Sequence, residues 1–349
     1  MTNASIEKRG RKPINSNSML LLITILLFII MYGAGSIIYA DKGFNHLQTF
    51  LNILISNAGL ICVACGMTCV MLTGGIDISV GALIAMDCMI IAVGVENWGL
   101  PAPLLMAVVL GVGILFGLLQ GFLVGYLQIQ PFIVTMAGMF FARGMTAVIS
   151  TQQVSITSSP FMTTLANMKI NIPFNIGAYV NAKGKLMVPY IRVTVLIAIA
   201  VLVVVFLILR YTRFGRSLYA VGGNQQSAEL MGLDVKKTRM RAYVLSSLLC
   251  SIGGICYCLN TMCGTTTQAL GLEMDAISSA VIGGTLLTGG VGNVWGSFVG
   301  VLINGTISSL VKTNGKLMSS WANVVSAILL CFFIMLQALF AKFRKAPRG

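Results

Sequence analysis

The chain is a succession of long apolar runs with almost no charge inside them, a pattern that leaves few folds open. Crossing a bilayer takes about 20 apolar residues. A backbone in hydrocarbon must also satisfy its own hydrogen bonds, which makes the helix the default spanning element. Runs of this kind occur near residues 18–40, 51–72, 80–95, 103–127, 131–150, 191–210, 241–261, 276–290, 294–312 and 321–341. The expectation is an all-α, polytopic membrane protein of about ten transmembrane helices. The third and eighth runs are short and glycine-rich, which predicts broken or re-entrant helices. No clear small-x-small cleavage site follows the first run, so it is expected to be retained as a helix. Composition agrees, with 57% hydrophobic and 9% charged residues, where a soluble domain carries roughly 25% charged.

A formal net charge of +14 would suit a nucleic-acid binder if it were spread over one face, but it is not. Fifteen of the 23 Lys and Arg fall in three clusters: Lys8, Arg9, Arg11 and Lys12; Arg210, Arg213, Arg216, Lys236, Lys237, Arg239 and Arg241; and Lys342, Arg344, Lys345 and Arg348. Six runs precede the middle cluster and four follow it, so all three can share one side. The positive-inside rule then places them, with both termini, in the cytoplasm. The charge reads as topology, with anionic lipid headgroups as its neighbours, and no nucleic-acid partner is expected. The organisation that follows is a tail over 1–17, one transmembrane domain over 18–340 and a tail over 341–349. The domain divides into repeat halves of about 18–190 and 191–340, and a polar loop over 211–241 lies within the second. That loop is long, basic and helix-like in its middle, a composition suited to docking against a soluble partner.

The halves echo each other. Residues 111–125 read GVGILFGLLQGFLVG and residues 290–304 read GVGNVWGSFVGVLIN, so Gly111, Gly113, Gly117 and Gly121 match Gly290, Gly292, Gly296 and Gly300. Glycine at every fourth residue puts a smooth stripe on one helix face and lets backbones approach closely. Two unrelated small-residue helices would read the same way. A duplication explains the spacing better, and because five is odd the second half would insert upside down relative to the first; two inverted five-helix repeats are expected, an arrangement common in transporters.

Acids inside apolar runs are costly and usually functional. Residues 72–87, LTGGIDISVGALIAMD, hold Asp77 and Asp87; residues 271–290, GLEMDAISSAVIGGTLLTGG, hold Glu273 and Asp275. Asp77 and Asp275 stand before ISV and AIS and read first as helix N-caps. With Ser79, Asp87, Ser278 and Asn57 they are also candidates to line a solute path, since hydroxyls, amides and carboxyls can hydrogen-bond a polar solute. Asp87 lies too deep in its run to cap, and Arg143, the one basic residue inside an expected helix, is its expected partner. Asn52, Gln120, Thr135, Asn260, Gln268 and Asn304 complete the polar set, each equally readable as an interhelical hydrogen bond. Trp98, Trp295 and Trp321 fall near run ends, as an interfacial belt would place them.

Several chemistries find no support. The Gly184-Lys185 and Gly315-Lys316 pairs are each followed by Leu, so no phosphate loop exists. There is one histidine, His46, and neither a metalloprotease helix nor a nucleophile elbow. Eight of nine cysteines lie in or beside apolar runs, and Cys62-x-x-Cys65 has neither a second pair nor a nearby His for a four-ligand zinc site. No enzyme activity, metal or cofactor is expected.

LTGGIDISVGA (72–82), GRSLYAVGGNQQSAELMGLDV (215–235) and EMDAISSAVIGGTLLTGGVGNVWGS (273–297) together resemble the bacterial sugar ABC-importer permeases of the ribose type. QPFIVTMAGMFFARG (130–144) and YTRFGRSLYAVGGN (211–224) are most similar to the galactofuranose-type subunit. The resemblance runs from about residue 45 to 340. It implies an inner-membrane permease that imports a monosaccharide, paired with an identical or related second permease. A separate ABC ATPase would energise it and a periplasmic sugar-binding protein would feed it. It also implies a coupling helix at Ser227–Leu233 that presses into the ATPase. On that reading Gly222 and Gly223 permit a turn, Asn224 caps, Ala228 and Glu229 carry the family's coupling pattern, Gly232 ends the helix and Asp234 follows it. Ser227 stands where the family often has a second alanine. The rival readings are an ion-coupled secondary transporter, for which Asp87 would be the titrating group, an ABC permease for a non-sugar solute, and a membrane scaffold.

Overall fold

The computed structural model describes residues 16–172, 177–180 and 186–345; the Lys8–Lys12 cluster and Arg348 lie outside them. Helices dominate: α1 (Ser16–Ile38), α2 (Leu47–Ser56), α3 (Ala58–Leu72), α4 (Val80–Glu96), α5 (Ala102–Gly125), α6 (Pro131–Ile149), α7 (Pro160–Asn167), α8 (Val193–Tyr211), α9 (Arg213–Gly223), α10 (Gln225–Leu230), α11 (Val235–Thr261), α12 (Leu272–Ile282), α13 (Val294–Asn314) and α14 (Ser320–Lys345). Three two-stranded antiparallel pieces also form, from β1 (Val154–Ser155) with β6 (Cys263–Gly264), β2 (Lys169–Asn171) with β5 (Tyr190–Arg192), and β3 (Tyr179–Val180) with β4 (Leu186–Met187). These lie mostly in the 150–192 connection, for which the apolar pattern carries no strand signal.

Among the described residues seven helices are long and apolar enough to cross a membrane, or eight when α2 and α3, bent by 57°, count as one broken span. The remaining two expected runs are the two marked as short. α4 has 17 residues, and α12 has 11 and stops at Ile282. Beyond it the eighth run turns, with Gly284, Gly289 and Gly290 all at positive φ, a conformation that costs glycine little and other residues more.

The core explains the low moment of the inner helices. Every residue of α3 is buried, as are nearly all of α4, so these helices are apolar on all faces. α11 runs through the centre against α3, α4 and α5. The glycine stripe of α5 makes that contact possible: a Cβ at Gly117 would meet the Val244 Cα at 2.7 Å, and one at Gly121 the Met240 carbonyl at 2.7 Å. The matching stripe of α13 meets a different helix, with Gly296 and Gly300 against the Gly283 and Ser279 carbonyls of α12. α1, α5 and α6 turn large apolar side chains outward, among them Leu22, Ile29, Leu115, Leu119, Phe140 and Phe141, as a lipid-facing surface requires.

Candidate coupling surface and polar path

The polar loop folds into two short helices. Thr212 caps α9 by accepting from the Gly215 amide at 3.0 Å, and Asn224 Oδ1 caps α10 through the Ser227 amide at 2.9 Å. α9 runs helically through Gly222 and Gly223, so the chain turns at Asn224. Gly232, at φ +78°, ends the second helix; its amide donates to Glu229 O, and the Leu233 amide donates to Ala228 O at 3.0 Å. Asp234 then caps α11 through the Lys237 amide at 2.9 Å and pairs with the Lys237 ammonium at 3.1 Å. These bonds hold its carboxyl below the ordinary carboxylate range. Ala228 is the buried residue of α10, packed with Val221 and Val235.

What remains outside is a tip. Glu229 is exposed and tied to Gln225 Nε2 at 3.0 Å, while Leu230 is 90% and Met231 70% exposed. Two apolar side chains presented side by side on a polar hairpin are a contact patch in waiting. The coupling helix implied by the resemblance covers this stretch, with Glu229 in its pattern, and the structure brings Leu230 and Met231 to the surface beside it. The legible signal for Leu230 and Met231 was their isolation among Gln, Ser, Glu, Gly and Asp.

The inner end of α9 reaches the membrane helices. Gly222 lies so close to the Leu72 carbonyl that a Cβ would fall on that oxygen, and it would stand 2.5 Å from the Gly290 amide. The Gly290 amide itself donates to Leu72 O at 2.9 Å, and Tyr219 Oη donates to Gly292 O at 3.0 Å. Thus two identical Leu-Thr-Gly-Gly turns, 72–75 after α3 and 287–290 before α13, are hydrogen-bonded to one another, and α9 is seated on both.

The intramembrane acids separate into distinct settings. Asp77 is fully buried; its Oδ1 accepts from Ser79 N at 3.1 Å and from Ser79 Oγ, and its Oδ2 accepts from Ser246 Oγ of α11 at 3.2 Å. Gln120 Nε2 of α5 donates to Ser79 Oγ at 2.9 Å. Asp77 therefore ties the start of α4 to α5 and α11, and it borders none of the three cavities described below. Asp275 is not an N-cap, because α12 begins at Leu272 behind Gly271. Its carbonyl instead accepts from Ser278 Oγ and Ser279 Oγ, and Asn304 Nδ2 of α13 donates to those two hydroxyls at 2.9 and 3.0 Å.

Asp87 and Arg143 do not pair. Arg143 donates to the carbonyls of Thr266 and Gln268 at 3.1 and 2.6 Å. Gln268 shapes that turn by accepting from the Thr265 amide, so the guanidinium finds ready carbonyls there. Asp87 is fully buried beside Gly254, with no hydrogen-bond partner among the described residues.

Two of the candidates meet in a cavity. Asn57, at the α2–α3 bend, and Asp275 line a space of about 410 Å³ together with Asn52, Ser56, Tyr257, Ser308, Ser309 and Lys312. A neighbouring space of about 230 Å³ shares Asn52 and Ser56 and adds Tyr190, Arg192 and Asn260. Both lie at the ends of α8, α11 and α13 remote from the polar loop. The loop joins the end of α8 to the start of α11, and Arg192 and Asn260 sit at their other ends. Sequence reasoning missed Ser56, Arg192, Ser308, Ser309 and Lys312; the i, i+4 spacing of Ser308 and Lys312 near a run end was the available signal. Ser278, Asp77, Ser79 and Asp87 are outside both cavities, although Ser278 and Asp275 border a third space of about 330 Å³ beside α14.

The family described as branched-chain amino acid transport system / permease component matches residues 49–334, from the start of the bent span to the middle of α14. The chain belongs to this permease family. It is 40% identical to the inner membrane ABC transporter permease protein YjfF of Escherichia coli, over 91% of each chain. It is 35% identical to the fructose import permease protein FruG of Bifidobacterium longum, over 90% of this chain and 89% of that one. It is 34% identical to the galactofuranose transporter permease protein YtfT of Escherichia coli, over 86% and 82%. No solved structure matches the chain. As a member, the chain is a transport component and not a catalyst.

Proposed function

We propose that this chain is the membrane subunit of an ATP-driven importer of a monosaccharide, seated in the inner membrane with both termini and the polar loop in the cytoplasm. Its partners are an ABC ATPase, a second permease of the same or a related sequence, and a periplasmic sugar-binding protein. The observation that carries the reading is mechanical. An exposed α9–α10 hairpin stands on the very turns that end α3 and precede α13, so a push on its tip acts on helices that border the polar cavity. Glu229, Leu230 and Met231 form the contact, Asn224, Gly232 and Asp234 fix its shape, and Ala228 anchors it. Small interface shifts of this kind rearrange packed helices between discrete states.

Sugar as the cargo is supported by relatives that are named for fructose and galactofuranose. The amides and hydroxyls of Asn52, Ser56, Asn57, Ser308 and Ser309 are the donors and acceptors a neutral polyol needs. An ion-coupled transporter is disfavoured by Asp87, which touches neither cavity and faces no cation.

The test is uptake into proteoliposomes holding the permease pair, the ATPase and the binding protein, with labelled ribose, fructose, galactose and leucine offered in turn. ATP-dependent uptake of a sugar, abolished together with ATPase co-purification by Glu229→Arg, is expected. Uptake of leucine alone, or uptake driven by an ion gradient with no ATPase bound, would sink the reading.

A further inference from the structure

We infer that a groove between α1, α8, α9 and α13 is a binding site for one anionic phospholipid, with Arg210 as the ligand of its phosphate. The site is independent of the cargo and lies at the opposite end of α8 and α13 from the polar cavities.

The groove encloses about 430 Å³. Leu21, Phe206, Leu209 and Val294 make its apolar walls, and Arg210 and Asn293 stand at its polar end. α8 is apolar enough to cross a membrane, and Arg210 falls in its last turn. The polar end is therefore at headgroup depth and the walls lie toward the hydrocarbon.

Distances fix the guanidinium over the wall. Its central carbon is 5.7 Å from the ring centre of Phe206, which lines the groove, and 5.7 Å from that of Tyr211. Stacking on a ring face holds a guanidinium without consuming its N–H donors. Those donors form a planar fork that matches a phosphate. Arg210 forms no ion pair among the described residues.

The charge around the groove has one sign. None of α1, α8, α9 and α13 holds an aspartate or glutamate, nor does the connection over 283–293. Arg213 and Arg216 follow Arg210 within six residues. A headgroup carrying an ammonium would bring a cation to three arginines with no acid to receive it. A phosphodiester on a neutral polyol brings none, so the site favours a lipid of net negative charge. Basic pockets between membrane helices on the cytoplasmic side bind anionic headgroups in this way.

The walls argue for a lipid over a soluble phosphate. They continue into exposed apolar side chains next in sequence, Leu22 beside Leu21, Leu207 beside Phe206 and Trp295 beside Val294. Phe206, Trp295 and Phe298 form an aromatic stripe, with ring centres 5.9 and 6.2 Å apart. An acyl chain covers that surface and a free anion leaves it bare. Tyr219 and Gly292 also line the groove, and they are joined by the 3.0 Å hydrogen bond that seats α9. A lipid held there braces the joint of the coupling hairpin.

Trp295 supplies the readout, because the other two tryptophans, Trp98 and Trp321, lie at the far helix ends. The full chain with Trp98→Phe and Trp321→Phe is placed in phosphatidylcholine nanodiscs containing brominated phosphatidylglycerol or brominated phosphatidylcholine. Quenching of Trp295 should show phosphatidylglycerol favoured about 5-fold, the worth of one basic residue at an anionic surface. Arg210→Gln should abolish the preference. Arg213→Gln, the same charge change outside the groove, should keep it. Millimolar glycerol phosphate should not relieve the quenching. With all three tryptophans in place, native mass spectrometry should find phosphatidylglycerol retained on the chain and lost from Arg210→Gln. No preference in the quenching, equal loss in both arginine variants, relief by glycerol phosphate, or no retained phosphatidylglycerol each overturns the site.

Discussion

The backbone amide of Gly290 donates to the carbonyl of Leu72 over 2.9 Å, and Gly222 of the polar hairpin rests on that same carbonyl. Residues 218 positions apart along the chain thereby share one joint. Only glycine fits: a side chain at 222 would have to displace backbone, which cannot move away as the end of a flexible side chain can. Gly223, one residue on, has nothing within 4 Å of where its Cβ would stand.

That contrast yields the first prediction. Gly222→Ala should destabilise the protein by about 1–3 kcal/mol, the range for overpacking a tight site, and should lower uptake more than it lowers ATPase co-purification. Gly223→Ala should do neither. Thermal unfolding in detergent and uptake by the two variants give the answer, and equal behaviour would remove the joint from the account.

The hairpin tip gives the second. Leu230→Asp and Met231→Asp put charge where the surface is apolar and exposed, so the isolated permease should unfold at the wild-type temperature. Affinity for the ATPase should fall at least about 10-fold, the loss of about 1.4 kcal/mol. A pull-down against increasing ATPase concentration measures it; undiminished retention would move the contact away from the tip.

A third concerns Asp77. Its carboxylate serves Ser79 and Ser246, and Ser79 in turn receives Gln120. Asp77→Ala leaves those buried hydroxyls short of an acceptor, at about 1–3 kcal/mol for each group so orphaned. The unfolding temperature should drop by several degrees, with the packing of α4 on α11 loosened. Because Asp77 lies outside the polar cavities that hold Asn57 and Asp275, the sugar profile of any residual uptake should match the wild type.

The fourth is a pH dependence. The Lys237 amide and ammonium lower the Asp234 carboxyl from its ordinary value of 3.8. A depressed carboxyl contributes stability that is complete above its ordinary value and is lost as pH falls through the lowered one. The first turn of α11 should therefore stay protected from amide exchange at neutral pH and fray only in strong acid. Asp234→Ala should exchange faster at neutral pH, and the difference from wild type should shrink as the pH falls below the ordinary value and vanish once Asp234 is protonated in the folded chain. A difference that persisted there would mean the cap is not electrostatic.

How much of this was legible in the chain can be judged residue by residue. The apolar runs located the helices, because a backbone in lipid has few other ways to satisfy its hydrogen bonds. The Asn224, Gly232 and Asp234 signals are local, set by neighbours three residues away, and each marks a helix boundary in the structure. Asp275 was misread for the opposite reason: Gly271 at φ +83° started the helix four residues early, and the serines after Asp275 bonded to its carbonyl. Arg143 was assigned to Asp87 by charge alone, whereas the carbonyls of a distant turn were nearer and better aimed.

By itself the sequence determined the class of fold, the early end of α12, the smooth helix faces and the helix caps of the hairpin, since each follows from periodicity, hydropathy or a short-range cap; the break it allowed in the third run is absent, α4 being one continuous helix, and the bend falls instead between α2 and α3. The tertiary structure alone decided that α9 sits on two Leu-Thr-Gly-Gly turns, that Asp77 bonds to Ser246 and not to a solute, and that Phe206 of α8 meets Trp295 of α13. Those pairings depend on which face of each buried helix meets which neighbour. Helices that are apolar all round, like α3 and α4, carry no amphipathic stripe to announce it.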